Sequence, residues 1–168
     1  MESCVLPGLS RLLSLNSSSP DATAALAARL GRLLAAGDTL LLHGSVGAGK
    51  SHFCRALIQS RLAALGRMED VPSPSFTLVQ TYDLGDLELW HADLYRLGDT
   101  QEVVELGLED AFATAICLVE WAERLGTLAP KDALRLTLAP GRHADERYLT
   151  LDGPPQWCAR LAPVLSEH

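Results

Sequence analysis

The segment Gly44–Ser51, with the sequence GSVGAGKS, constrains the fold of this chain more than any other feature. It follows Thr39–His43, an apolar run that is too short for a helix and is predicted as a buried strand. It leads into Lys50–Leu65, whose apolar residues recur at helical spacing. A strand, a glycine-rich turn and a helix in this order are typical of a phosphate-binding loop, where backbone amides and the positive end of the helix converge on an anion. The flanking elements argue against a chance match in an ordinary glycine turn.

The residue types of this loop predict their roles. Lys50 is expected to reach the β- and γ-phosphates of a nucleotide, which also makes it a candidate catalytic residue. The Ser51 hydroxyl is expected to ligate magnesium. Within the loop, the residues expected to contact the nucleotide are Gly44, Val46, Gly47, Ala48, Gly49, Lys50 and Ser51.

A second metal ligand is predicted at Glu120. Ala115–Val119 is fully apolar, and Glu120 follows it at the point where a buried strand would emerge beside the phosphate loop. The alternative is a solvated acid at the start of a helix. The presence of a phosphate loop favours the metal role.

The hexapeptide HADLYR, residues 91–96, is a third candidate cluster. His91 and Asp93 are two residues apart at a predicted strand end, so their side chains are expected on the same face of the sheet. A carboxylate in that position can orient or deprotonate the water that attacks a γ-phosphate. Considered alone the hexapeptide is weak, because a surface His and Asp are commonplace.

The segment Ser73–Thr77 allows two interpretations. Prolines at 72 and 74 stiffen a stretch rich in hydroxyl groups just ahead of a strand. Such a loop could sense a γ-phosphate as a GTPase switch does, or it could be an ordinary connection. The residues alone do not separate these two interpretations.

The remaining pattern predicts one α/β domain over residues 1–168 with a mainly parallel central sheet, flanking helices and some antiparallel strands. Ser19, Pro20 and Asp21 form a helix-start signal for a helix that closes at Gly37. The other predicted elements, in chain order, are strands Phe76–Tyr82 and Leu87–Ala92, a mostly helical stretch Thr100–Ala113, strands around Leu134–Leu138 and Tyr148–Leu151, and a short helix after Pro154.

Composition excludes several classes of protein. With 14 Lys+Arg against 21 Asp+Glu, the formal net charge of −7 argues against unaided nucleic-acid binding. Apolar tracts are interrupted by arginines and the first residues lack the basic start of a signal peptide, so a cytoplasmic protein without membrane spans is expected. Cys4, Cys54, Cys117 and Cys158 have no paired spacing, which excludes a zinc ribbon and favours free thiols.

Taken together, these segments closely resemble the TsaE family, the small ATPases of bacterial tRNA threonylcarbamoyladenosine synthesis. The resemblance covers about residues 19–153, and its matching pieces are LLLHGSVGAGKSHFCRAL, VPSPSFTLVQTY, HADLYRL, LGLED and AICLVEWAERL. It implies a P-loop NTPase fold, ATP with Mg²⁺ as cofactors, and slow ATP hydrolysis that depends on partners. The implied partners are TsaD-like and TsaB-like subunits of a threonylcarbamoyl transferase, through which tRNA is reached only indirectly.

The resemblance also assigns residues. It implies that Asp93 is needed for hydrolysis and that Trp121 lies near the nucleotide or reports on it. Ser19 and the Gly141–Arg147 turn fall where members of the family line the nucleotide pocket. One departure is Ser45, where the family usually carries Asp, and this predicts altered electrostatics of the loop.

Two other functions fit a phosphate loop of this kind. A small-molecule kinase would need an acceptor pocket and a lid, for which Arg142 and Arg147 are the available arginines. A non-catalytic regulator would bind nucleotide and dock on a partner, and its role would survive loss of Asp93 but not of Lys50. The kinase scheme gives no role to SPSFT, HADLYR or the VEW of residues 119–121.

Overall fold

Four parallel strands form the centre of a seven-stranded sheet in a computed structural model that describes residues 9–165. The strands are β1 (Ser10–Ser17), β2 (Thr39–His43), β3 (Val79–Asp83), β4 (Glu88–Asp93), β5 (Ile116–Glu120), β6 (Leu134–Pro140) and β7 (Arg147–Gly153). Their order across the sheet is β1-β7-β6-β2-β5-β4-β3. The central strands β4, β5, β2 and β6 are parallel, and β3, β7 and β1 extend the sheet in antiparallel fashion. The predicted α/β fold with a mainly parallel centre is confirmed.

Within residues 9–165, five α-helices and a short 3₁₀ helix, Ala122–Leu128, accompany the strands. The α-helices are α1 (Pro20–Leu33), α2 (Lys50–Ala63), α3 (Thr100–Glu105), α4 (Leu108–Thr114) and α5 (Trp157–Leu165). Helices α1, α2 and α5 contribute to one apolar cluster on the sheet. Helices α3 and α4 and the 3₁₀ helix contribute to a second one. The sheet is therefore covered on both faces, which is why its central strands are apolar throughout.

The register of the parallel strands brings the predicted functional residues to one edge. Leu42 of β2 pairs with Glu120 of β5, and Asp93 of β4 pairs with the same Glu120. The loop Gly44–Ser51 begins just past the end of β2. The phosphate loop and both carboxylates therefore lie together at the carboxyl ends of neighbouring parallel strands, where α/β sheets bind ligands.

The largest differences from the sequence-based expectation concern one predicted helix and one edge strand. The predicted helical stretch Thr100–Ala113 is two helices, because Gly107 has a left-handed backbone (φ 80°) and begins a new helix. Strand β1 was not predicted, since its SRLLSLNS sequence shows only a weak alternation of apolar and polar residues. It lies at the edge of the described sheet and pairs with β7.

Cys54 and Cys117 are buried free thiols and Cys158 is an exposed one, whereas Cys4 lies outside the described residues. Within residues 9–165, the helices are each too short or too polar to cross a membrane.

Candidate functional site

A cleft of about 530 Å³ opens at the carboxyl ends of β2, β4 and β5. It is lined by most of the residues that the sequence singled out: Val46, Gly47, Gly49, Lys50, Ser51, Asp93, Glu120 and Trp121. Its volume lies within the range of small-molecule and cofactor sites. The structure thus brings the predicted phosphate loop, metal ligands and catalytic acid to one cleft.

Gly44 and Ala48 shape the phosphate loop from beneath and do not line the cleft. Gly44 has φ 149°, and a Cβ on it would lie 2.7 Å from the Leu138 carbonyl oxygen. Ala48 is 1% exposed, and its amide donates to the Ser45 carbonyl at 3.0 Å. The loop therefore rests directly on the end of β6, where a residue larger than glycine has no room.

Lys50 is buried at the start of α2 and faces the cleft. Its Nζ donates hydrogen bonds to the carbonyl oxygens of Gly44 (2.5 Å) and Ser45 (3.0 Å). The same nitrogen lies 4.2 Å above the ring centroid of Trp121. Among residues 9–165 no carboxylate pairs with it within 4 Å. Its charge is held by carbonyl dipoles and an aromatic face, so it is available to an anion.

Ser51 and Glu120 fit the requirements of a small divalent cation. The Ser51 Oγ donates a hydrogen bond of 2.8 Å to Oε1 of Glu120. Adjacent ligands of an octahedral magnesium, each at about 2.1 Å from the metal, lie about 2.9 Å apart. The two oxygens are therefore already at the separation of neighbouring ligands, and hydroxyl and carboxylate oxygens are the donors that magnesium prefers.

The second oxygen of Glu120 contacts His91. The His91 Nε2 lies 2.7 Å from Glu120 Oε2, and both side chains are almost completely buried. Cys54 of α2 lies against this pair, with ligand-type atoms of all three residues within 4.8 Å of one another. Burial raises the pKa of the Cys54 thiol well above its ordinary value, and Glu120 and Asp93 add to the rise, so this thiol stays protonated.

Asp93 is 6% exposed by accessible surface and lies beside Glu120. Burial raises the pKa of its carboxyl group, and the nearby charge of Glu120 adds to this rise. The Tyr95 amide, which donates to Oδ1 at 3.0 Å, lowers the pKa and so opposes the rise. Its Oδ2 is 3.5 Å from the Ser75 hydroxyl. A carboxylate with a raised pKa next to a phosphate loop is suited to accepting a proton from water.

The Ser73–Thr77 loop is attached to Asp93 through side chain and backbone. Besides the Ser75 contact, the amide of Asp93 donates to the Leu78 carbonyl at 2.9 Å, and Leu78 has a left-handed φ of 68°. Phe76 is 84% exposed, and the centroid of its ring lies 5.1 Å from the guanidinium carbon of Arg96. The loop thus extends from Asp93 in the cleft to the exposed ring of Phe76 at the edge of the cleft.

Trp121 follows Glu120 with a left-handed backbone (φ 57°, ψ 45°), which is unusual for a bulky residue and costs about 1–2 kcal/mol. This turn places the indole ring against the Lys50 ammonium group, and the Tyr95 ring packs against the same indole with ring centroids 4.8 Å apart. Strain of this kind is concentrated at functional sites. The sequence identified Trp121 only through resemblance, and it singled out the segments that contain Tyr95 and Ser75 without giving either residue a role of its own.

The turn before β7 contacts the phosphate loop through Arg147. Its Nε donates to the Ala48 carbonyl at 3.0 Å, and a terminal nitrogen lies 3.4 Å from the Gly47 carbonyl oxygen. The Gly141–Arg147 turn was predicted to approach the nucleotide pocket. Arg147 contacts the carbonyl oxygens of the loop but is not among the described residues that line the cleft.

Ser19 also lies outside the cleft and has a structural role at α1. Its Oγ accepts a hydrogen bond of 3.1 Å from the Ala22 amide, which caps the helix. The cleft residue His52 contacts the Pro20 carbonyl at 3.0 Å, so the starts of α1 and α2 are joined beside the pocket.

Comparisons with known proteins agree with this arrangement. The family described as "Threonylcarbamoyl adenosine biosynthesis protein TsaE" matches residues 17–149. The tRNA threonylcarbamoyladenosine biosynthesis protein TsaE of Bacillus subtilis is 34% identical over 150 residues, which are 89% of this chain and 90% of that protein. The protein of the same name from Rickettsia conorii is 36% identical over 121 residues, 72% of this chain and 67% of that protein.

A crystal structure of Bacillus subtilis YdiB superposes with a TM-score of 0.74 and 28% sequence identity, covering 95% of this chain and 97% of that one. The family match spans most of the chain, including both strands that carry the carboxylates and the whole phosphate loop. This chain belongs to the TsaE family.

Proposed function

We propose that this chain binds and hydrolyses ATP with Mg²⁺ and, as an ATPase subunit in tRNA threonylcarbamoyladenosine biosynthesis, drives turnover of the threonylcarbamoyl transferase. Membership of the TsaE family supports the role in that modification pathway. The observation that carries the ATPase part is the 2.8 Å contact between Ser51 and Glu120 beside the phosphate loop. It supplies two oxygen ligands in the one cleft that also holds Lys50 and Asp93.

Each residue then has one task. Lys50 leaves the carbonyls of its own loop and donates to the β- and γ-phosphates, while the amides of Gly47, Gly49 and their neighbours surround the phosphate oxygens. Ser51 and Glu120 hold the magnesium, which neutralises charge on the phosphates when bound. Asp93 orients the attacking water and accepts its proton, for which its raised pKa is favourable.

The Ser73–Thr77 loop is proposed to transmit the state of the nucleotide. Ser75 touches the carboxyl group of Asp93, and Phe76 of the same loop is exposed at the rim. A shift of Asp93 on hydrolysis therefore moves an apolar side chain on the surface. The proposed receivers are TsaD-like and TsaB-like subunits in the cytoplasm, and the net charge of −7 agrees with tRNA being held by those subunits.

The first experiment is multiple-turnover threonylcarbamoylation of tRNA by purified transferase subunits. It is run with ATP and pre-formed threonylcarbamoyl-adenylate, with this protein, without it, and with Lys50→Ala. Repeated cycles with the parent protein only are the expected result. If the parent adds no turnover while still hydrolysing ATP, the pathway role is wrong and a phosphate acceptor must be sought.

The kinase alternative has less support from the cleft. Its lid would need a mobile arginine, whereas Arg147 already donates hydrogen bonds to the carbonyls of Ala48, Ala144 and Glu146. A non-catalytic regulator would use the same cleft. Replacing Asp93 by Asn distinguishes it, because a regulator would keep its function and an ATPase would lose it.

A further inference from the structure

His91 is a buried polar residue on β4 to which the proposed mechanism gives no task. It is 1% exposed, and its strand neighbours Leu89 and Ala92 are fully buried. Its register partner on β5 is Leu118, two residues before Glu120, so His91 and Glu120 project from the same face of the sheet. The contact between them is therefore fixed by the pairing of two central strands.

The contact determines which ring nitrogen carries a hydrogen. A carboxylate only accepts hydrogen bonds, so the His91 Nε2, at 2.7 Å from Glu120 Oε2, must be the donor. The other ring nitrogen, Nδ1, is buried and has no hydrogen-bond partner among residues 9–165. The hydrogen bond to Glu120 is therefore made by the one ring nitrogen that has a partner in the described part of the chain.

The two oxygens of Glu120 are thus divided between two partners. Oε1 faces the Ser51 hydroxyl at 2.8 Å, and Oε2 accepts from His91. Without the His91 bond the carboxylate can rotate about its last side-chain torsion, which is soft. With it, Oε1 stays at the separation from Ser51 that two neighbouring metal ligands require.

We propose that His91 is a positioning residue that orients Glu120 for the divalent cation through its Nε2–H group. This inference rests on the proposed magnesium role of Ser51 and Glu120. A buried donor behind a ligating carboxylate is a common way for proteins to fix a metal ligand, and its loss typically lowers metal affinity about 10–100-fold. Since Nδ1 has no partner among residues 9–165, the bond from Nε2 to Glu120 is the polar contact that this ring makes there.

The test compares two substitutions of His91 whose side-chain amide N–H groups lie at different distances from the backbone. In His91→Gln the side-chain amide nitrogen reaches the position of Nε2, whereas in His91→Asn it reaches only the position of Nδ1. Manganese is the probe, and its affinity for each protein saturated with ADP is measured by the electron paramagnetic resonance of free Mn²⁺. We expect His91→Gln to stay within about 3-fold of the parent and His91→Asn to bind Mn²⁺ about 10–100-fold more weakly.

Glu120→Gln separates failure of this inference from failure of the proposed function. If Glu120→Gln binds Mn²⁺ as the parent does, the metal role of Glu120 is wrong and the role of His91 is wrong with it. If Glu120→Gln binds weakly but His91→Asn binds as the parent does, only the positioning role is overturned. Urea unfolding of each variant and its ADP affinity in the absence of metal are the controls. They show whether a change in Mn²⁺ affinity reflects a general loss of the fold.

A measurement on the unaltered protein covers the case in which His91→Asn does not fold. Long-range ¹H–¹⁵N correlation spectra distinguish a protonated ring nitrogen from a bare one. The proposal requires His91 to carry a hydrogen on Nε2. A ring with the hydrogen on Nδ1 and a bare Nε2 would overturn it without any variant.

Discussion

The Lys50 ammonium nitrogen lies 4.2 Å above the centroid of the Trp121 ring while it donates to the carbonyls of Gly44 and Ser45. The lysine thus bonds back to the first two residues of its own loop. If a nucleotide binds as proposed, its phosphates must replace both carbonyl partners before they can accept hydrogen bonds from Lys50. Since the same movement changes the distance between the charge and the indole ring, binding is coupled to the surroundings of Trp121.

We therefore expect ADP or ATP to change the fluorescence of Trp121. Titration of the parent protein gives a saturable change, and Trp121→Phe abolishes it although Trp90 and Trp157 remain. A full signal in Trp121→Phe would show that another tryptophan reports on the cleft.

Lys50→Ala removes charged hydrogen bonds worth about 1.5–3 kcal/mol, so it should weaken nucleotide binding, measured by calorimetry, about 10–100-fold.

Asp93→Asn is expected to separate binding from turnover. The amide keeps the acceptor for the Tyr95 backbone N–H but cannot accept a proton from water. ATP hydrolysis should fall about 10²–10⁴-fold, the range for loss of a general base. Nucleotide affinity, measured by calorimetry, should stay within about 3-fold of the parent. Hydrolysis at the parental rate would remove Asp93 from the mechanism.

The sequence predicts the centre of this fold well because its signals there are local. Strand β2 and the start of α2 were predicted to the residue, since an apolar run and a glycine-rich loop fix them. Strand β5 and the hairpin β3–β4 were displaced by one to three residues. Strand β1 was missed because its alternation is weak and its pairing with β7 links residues 130 or more apart, which no local pattern encodes.

The same reasoning applies to the site. Lys50, Ser51 and Glu120 were predicted from motif and strand position, and the cleft contains all three. The role of His91 depends on strand register, and that of Ser75 depends on how a loop folds back onto Asp93. Both are consequences of tertiary packing. A motif indicates which residue types are present but leaves open which oxygen each donor meets.

Arg147→Met is expected to loosen the phosphate loop from outside. It removes the donors to the carbonyls of Ala48 and Gly47, so nucleotide affinity should fall about 10-fold, in line with the loss of charged hydrogen bonds. Arg142→Met, at an exposed residue of the same turn, is the matched control and should leave affinity unchanged. Equal affinities for the two variants would contradict a role for Arg147 in holding the loop.

His43 is expected to make stability sensitive to mild acid. Burial lowers the pKa of its ring below the ordinary 6.5, and the charges of Arg135 and Lys50 lower it further, against the opposing effect of Glu123. In the unfolded chain the ring takes up a proton as the pH falls below about 6.5, while the folded ring resists it. Stability is therefore present above that pH and is lost as the pH falls toward the folded pKa.

His43→Gln should remove this sensitivity. The free energy of unfolding is measured in urea for both proteins, and the difference is taken as variant minus parent. This difference should increase as the pH falls from 7.5 to 5.5, by no more than about 1.4 kcal/mol per pH unit below pH 6.5. His143→Gln, on the exposed turn before β7, is the control and should show no such rise. A constant difference between His43→Gln and the parent across this range would contradict the prediction.

Gly44→Ala is expected to destabilise the protein because the loop has no room for a side chain at its first glycine. The added Cβ would lie 2.7 Å from the Leu138 carbonyl oxygen and 3.1 Å from the Ala48 Cβ. Gly66→Ala is the matched control, since Gly66 also has a positive φ (73°) but faces open space. The control should lose about 1–2 kcal/mol of unfolding free energy from backbone strain, and Gly44→Ala about 1–3 kcal/mol more from the steric overlap. Nucleotide affinity should fall only in Gly44→Ala, because relief of the overlap moves the loop away from β6. Equal losses of stability in the two variants, measured by urea unfolding, would show that the loop tolerates a side chain there.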